Sequence, residues 1–138
     1  MNELPTLPPY SFAVTIGEAD LDRLQHVNNV AWLGMIQDAA IRHWLTVSTD
    51  EVRQAFYWVV RRHEIDYHKP GFLNDELTVK TWVGTPTAAT WERFTEISRP
   101  SDGSLLVASR TVWVLMDAQQ NRPKRIDARI TGCFRPAG

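Results

Sequence analysis

The sequence predicts an α+β fold in which an antiparallel β-sheet wraps around one long buried helix. Three observations carry this. Residues 30–45 are apolar at helical spacing on almost every side, the pattern of a helix enclosed by the rest of its chain. Four later runs, 56–67, 76–84, 90–99 and 104–117, are long and rich in β-branched and aromatic residues. Short Pro-, Gly-, Asn- and Asp-containing turns separate them, and strands joined by short turns pair antiparallel.

The elements follow in order. Pro5, Pro8 and Pro9 hold the first residues extended and out of any helix. Phe12, Val14 and Ile16 alternate with Ser11, Ala13 and Thr15, a strand at period two. In the helix, Val30, Leu33, Ala40, Ile41 and Trp44 mark one face, and Trp32, Met35, Ile36 and Ala39 mark much of the remainder. Asp38 and Arg42 are spaced for an i,i+4 surface ion pair. Residues 46–54 read as a polar connector with a short helix capped by Ser48 or Thr49. Pro70-Gly71 ends the strand 56–67, and Asn74 supplies a left-handed residue in the turn before the next. Residues 85–87, 100–103 and 117–123 are turns, and residues 126–134 fit either a last strand or a helical turn. In the run 104–117, Leu105, Val107 and Trp113 fall on one face and Leu106, Ala108, Val112 and Val114 on the other. Two apolar faces reflect either a partner on the side away from the helix or simple β-propensity.

At 138 residues the chain is one domain, residues 1–138, large enough for a real core. A net charge of −1 and a pI near 6.4 argue against nucleic-acid binding, which calls for a basic face. The single cysteine, Cys133, excludes an internal disulfide and a Cys-based zinc site, and reads as a buried or bystander thiol. Residues 1–9 lack the pattern of a secretory signal, and no apolar run reaches membrane length. The expectation is a soluble, cytoplasmic protein without membrane insertion, metal or other cofactor.

Chemistry concentrates ahead of the helix. The stretch 20–29 packs two Asp, one His and two Asn into ten residues without a glycine. Asn28 or Asn29 suits the helix N-cap, where a side-chain oxygen accepts from the free N–H groups of the first turn. Those N–H groups and the helix dipole favour developing negative charge. A carboxylate therefore stands beside a site able to receive an oxyanion. A loop carboxylate is ordinarily solvated and a helix-start Asn ordinarily a cap, so spacing alone does not make this catalytic.

The residues Asp22-x-x-x-His26-Val27-Asn28-Asn29-x-x-Trp32 resemble the D-x-x-x-H-V-N-N-x-x-Y signature of the hotdog-fold acyl thioesterases. That group includes the 4-hydroxybenzoyl-CoA thioesterase-like enzymes and the plant acyl-ACP thioesterases. The plant pattern is also similar at Val30, Gly34 and Asp38, and residues 73–77 resemble the family's G-D-E-L turn with Asn74 in place of Gly. Leu24 departs from the plant pattern, which carries an Asn there, and Trp32 replaces the usual Tyr. The resemblance implies a hotdog fold and hydrolysis of an acyl-CoA or acyl carrier protein thioester. It also implies a homodimer or homotetramer with sheets made continuous. Asp22 is then the general base or nucleophile, and His26 either orients water or the thioester oxygen or is a loop histidine hydrogen-bonded to backbone. Asn29, either cap or substrate contact, joins Trp32 and the strand start Phe56, Tyr57 and Trp58 as candidate substrate-binding residues. The oxyanion donors are helix-start N–H groups or a backbone N–H of that facing strand. Arg122, Lys124 and Arg125 could meet the phosphates of CoA, or form a solvated turn.

Rival classes are set apart by missing features. A zinc enzyme built on His26, His43, His63 and His68 lacks the i,i+4 histidine pair of a helical metal motif. A dehydratase or hydratase on the same fold lacks its own motifs here. A non-catalytic acyl-binding module would not need Asp22.

Overall fold

The computed structural model describes residues 7–135, so the expectation for Pro5 lies outside the described residues. Alternation produces β1 (Tyr10–Thr15), with Tyr10, Phe12 and Val14 half-buried and Ser11, Ala13 and Thr15 exposed. A 3-10 turn at Glu18–Asp20 ends the extension, and the chain reaches α1 (Asn29–Val47). Ser48 closes α1, and Thr49 caps α2 (Asp50–Ala55) by accepting from the Val52 N–H at 3.2 Å. There follow β2 (Phe56–Tyr67), β3 (Glu76–Val83), β4 (Thr90–Arg99), β5 (Ser104–Asp117) and the two-residue β6 (Arg122–Pro123). The last segment resolves as helical: α3 (Ala128–Thr131) runs into a 3-10 turn at Gly132–Phe134. Asn74 is left-handed, with φ of 67°.

The long strands form one antiparallel sheet in the order β1-β3-β4-β5-β2, with β6 paired to β5. β1 and β2 are thus the two edges, although only the helices separate them in sequence. α1 must cross the sheet from one edge to the other. It does so on the inner face, presenting Trp32, Ile36, Ala39 and His43, each no more than 3% exposed. Fully burying a side chain such as Ile36 is worth roughly 1.5–3 kcal/mol.

Burial of α1 on every side is not what forms. Val30, Ile41 and Leu45 are 80%, 54% and 54% exposed, because one sheet covers only one side of a helix. Asp38 and Arg42 pair at 2.9 Å on the surface as spaced. The predicted faces of β5 also need correction. The register with β4 shifts between Ile97 and Ser98, and the bulge leaves both Leu106 and Val107 fully buried. One extra residue reverses which parity faces inward, so a strict alternation across residues 105–108 fails.

The core has two parts. Trp32, Ile36, Leu77, Val79, Ile97 and Val107 gather under the first half of α1. Phe56, Val83, Trp91, Leu115, Ile130 and Phe134 gather beyond its second half. The inward face of β4 reads Trp91, Arg93, Thr95, Ile97, so a cation is carried into the interior by alternation alone.

Candidate active site

The segment ahead of α1 is a closed turn. The Asp22 N–H donates to His26 O at 2.8 Å and the Gln25 N–H to Asp22 O at 3.0 Å, with Gln25 left-handed at φ 64°. Oδ1 of Asp22 accepts from the N–H groups of Leu24 at 2.8 Å and His26 at 3.2 Å. Oδ2 has no partner among the described residues, and the side chain is exposed. The turn is tied down behind by the Val27 N–H to Gly71 O, 2.9 Å, and the Asn28 N–H to Asp20 O, 2.8 Å.

Of the two asparagines, Asn28 is the cap: its Oδ1 accepts from the Ala31 N–H at 2.7 Å. Asn29 is instead the exposed first residue of α1. The N–H groups of Asn29 and Val30 lack partners among the described residues, as expected for the first turn of a helix. They lie seven and eight positions after Asp22, on exposed residues. Asp20, the neighbour most easily confused with Asp22, lies in the 3-10 turn, and its Oδ2 accepts from the Gly17 N–H at 2.9 Å. The two carboxylates are therefore not equivalent positions of one extended strand. The His26 ring packs edge-on to Phe72 with centroids 5.2 Å apart. Trp32 does not lie at the surface of this site. It is 3% exposed and its ring lies against Gly71, a core position.

Phe56, Tyr57 and Trp58 line a cavity of about 270 Å³ at the other end of α1, with Trp44, Trp91, Trp113 and Phe134 among its walls. No residue of the 20–30 segment lines it. The helical wall of the cavity begins at Ala40, so about 16 Å of α1 lies between its start and the cavity. Within one chain, then, Asp22 and the start of β2 are not brought together.

The cavity contains a cation that the sequence reasoning did not single out. Arg93 is 5% exposed. Its Nη1 donates to His43 Nδ1 at 2.9 Å and to Thr81 Oγ1 at 3.0 Å. Because a guanidinium only donates, His43 accepts at Nδ1 and carries its proton on Nε2. Burial, and then the charge on Arg93, hold the His43 pKa at about 4. Burial lowers the Arg93 pKa to about 10, which still leaves it charged at neutral pH. The available signal was parity: Arg93 sits between Trp91 and Thr95 on the apolar face of a strand, and His43 continues the inward stripe of α1.

The remaining candidates stay apart. No group of three or more His, Cys, Asp or Glu is placed to hold a metal among the described residues. His63 Nδ1 is bonded to Thr111 Oγ1 at 2.9 Å. Cys133 is a half-buried free thiol whose pKa burial pushes up. Arg122 and Arg125 are exposed and Lys124 half-buried, in the turn after β5. No helix among the described residues is long and apolar enough to cross a membrane.

A curled antiparallel sheet around one helix is the hotdog fold of the thioesterases. The chain belongs to the acyl-ACP thioesterase N-terminal domain family, whose model matches residues 9–134. No curated protein matches it at a significant level. Among solved structures it is similar to a thioesterase from Thermus thermophilus, solved with coenzyme A and zinc. That pair is 26% identical with a TM-score of 0.79, covering 91% of this chain and 97% of the other. It is also similar to a 1,4-dihydroxy-2-naphthoyl-CoA thioesterase from Synechocystis, at 18% identity and a TM-score of 0.80 over 92% and 96% of the two chains. The 12:0-ACP thioesterase from Umbellularia californica matches at 18% identity and a TM-score of 0.79, covering 94% of this chain and 51% of that one. This chain therefore spans about half the length of the plant enzyme. The enzyme class is thioester hydrolase, and the reaction is hydrolysis of an acyl thioester to the free acid and a thiol.

Proposed function

We propose that this cytoplasmic enzyme hydrolyses an acyl-CoA or acyl carrier protein thioester, with Asp22 carrying the chemistry. The observation behind this is the state of one carboxylate. Its Oδ1 is fixed by two backbone N–H groups while Oδ2 has no partner among the described residues, in the turn that leads into a helix whose first two N–H groups also lack one among those residues. Oδ2 either deprotonates a water that attacks the carbonyl carbon or attacks it directly. As that carbon becomes tetrahedral, charge builds on the carbonyl oxygen, and the N–H groups of Asn29 and Val30 stabilise it. Asp22→Asn keeps size and turn but removes basicity. Turnover should fall about a hundredfold to ten-thousandfold, measured as thiol release with and without a chelator. Asp20→Asn should cost far less. Near wild-type turnover in Asp22→Asn would remove the assignment.

The working unit in this reading is a homodimer or a dimer of dimers. β2 is a 12-residue edge strand, and a long unpaired edge is a ready template for a second copy. Antiparallel pairing about mid-strand sets the start of one β2 against the end of the other. That end, Tyr67, leads into Gly71, which holds the Asp22 turn. Phe56, Tyr57 and Trp58 of one copy thus approach the turn of its mate, joining two half-sites that a single chain keeps apart. Sedimentation at micromolar concentration should give a dimer or larger. A monomer would dismantle this arrangement.

A further inference from the structure

The cavity at the carboxyl end of α1 has a polarity that a plain hydrocarbon tail does not explain. Its walls are aromatic, yet Arg93 lines it, and no carboxylate among the described residues pairs with that guanidinium. A buried cation normally has an anionic partner, because apolar surroundings do not replace its lost hydration.

The hydrogen bonds show which side of the guanidinium is open. Nη1 is fully used by His43 and Thr81. Thr81 is held in that role, since its hydroxyl donates to Phe94 O at 2.8 Å and accepts from Thr95 Oγ1 at 3.0 Å. His43 is clamped between Tyr10, stacked at 5.5 Å, and Phe134, edge-on at 5.0 Å. The opposite side, Nε and Nη2, has no partner among the described residues. Neither nitrogen is sealed away, for the one sealed orphan donor among those residues is Trp113 Nε1. Nε–H and the adjacent Nη2–H run parallel, the fork that matches the two oxygens of a carboxylate. Trp113 lines the same cavity. It pairs with Trp91 while Arg93 pairs with Thr111, so the indole lies diagonally across from the guanidinium.

We propose that the cavity receives the far end of an acyl chain terminating in a carboxylate, held by Nε and Nη2 of Arg93, so that the preferred substrates are ω-carboxyacyl thioesters, the half-thioesters of dicarboxylic acids. This rests on the thioesterase reading above, with the thioester end at Asp22 of the paired copy. The aromatic walls take the methylenes, and Arg93 takes the carboxylate. A methyl-ended chain would press hydrocarbon onto an unpaired cation, which is how such a site rejects it.

The test uses matched CoA thioesters that differ only at the far end: adipoyl against hexanoyl, and suberoyl against octanoyl. The wild-type kcat/KM should favour a carboxyl-ended member by at least about tenfold, the scale of a charge-assisted hydrogen-bonded pair. In Arg93→Met that ratio should collapse toward one. Arg93→Lys keeps the charge but not the fork, and should retain only part of it. A binding arm is independent of turnover. Monomethyl suberate should change tryptophan emission saturably in the wild type and in Asp22→Asn, but not in Arg93→Met, and methyl octanoate should bind more weakly. Equal or alkyl-favouring kcat/KM values in the wild type overturn the proposal and leave the thioesterase reading standing, whether or not the Arg93 variants fold. Saturable, Arg93-dependent binding without hydrolysis of any thioester would support the cavity and refute the role of Asp22.

Discussion

At the amino end of α1 the polar side chains bond the backbone of residues two to four positions away, Asp22 to Leu24 and His26 and Asn28 to Ala31. At the carboxyl end they bond one another across three elements, His43 from α1, Thr81 from β3, and Arg93 and Thr95 from β4. The first arrangement is local, exposed and open to water. The second exists only once the sheet has closed on the helix. A local turn can carry a reactive group without staking the fold on it. A buried network ties its protonation states to folding, because no water replaces a lost partner. The two ends should therefore respond differently to pH and to substitution.

The larger effect belongs to the buried end. The His43 pKa is held at about 4 in the folded protein against 6.5 for the free side chain. A lowered folded-state pKa means that the unfolded chain binds more protons between these values. The associated stability is present above pH 6.5, declines as pH falls through the window, and is lost by about pH 4. The full difference is about 3 kcal/mol. His43→Gln keeps an acceptor for Arg93 but cannot take the proton. Urea midpoints at several pH values across the window should fall steeply for the wild type and much less for the variant. Parallel pH profiles would mean that His43 does not titrate on unfolding, and the contrast between the ends would lose its electrostatic half.

The same contrast decides what could be read before folding. The Asp22 to Asn29 turn, the cap ahead of α1, the left-handed Asn74 and the long strands were legible because each depends on neighbours in sequence. The choice between Asn28 and Asn29 was not, since either side chain can cap and only the path of the preceding turn selects one. Trp32 looked like a substrate contact from its place in the motif, but its environment is set by Gly71, thirty-nine positions away. Val30, Ile41 and Leu45 looked buried because apolarity reports what a face tolerates rather than whether another layer covers it. Arg93 is not legible in the sequence, because a charge on an inward parity becomes informative only when its partners, from α1 and β3, are known.

A smaller effect tests the exposed end through the strap that holds it. A Cβ on Gly71 would stand 2.9 Å from Val27 Cγ2 and 3.0 Å from two carbons of the Trp32 ring. Neither neighbour has room to yield, since Val27 is 6% and Trp32 3% exposed. The backbone of Gly71 is not left-handed, so the effect of Gly71→Ala is steric. Overpacking of this kind costs about 1–3 kcal/mol. The push falls on the residue whose N–H bonds to Gly71 O at 2.9 Å, five positions after Asp22. A displacement near 1 Å at a reacting group can cost about a hundredfold in rate. Gly71→Ala should therefore lower the urea midpoint moderately and reduce turnover of carboxyl-ended and methyl-ended thioesters by the same factor, since the Arg93 fork lies beyond its reach. Should the variant alter the ratio between the two substrate types while turnover of the better one stays intact, the chemistry and the recognition would not be divided between the two ends of α1.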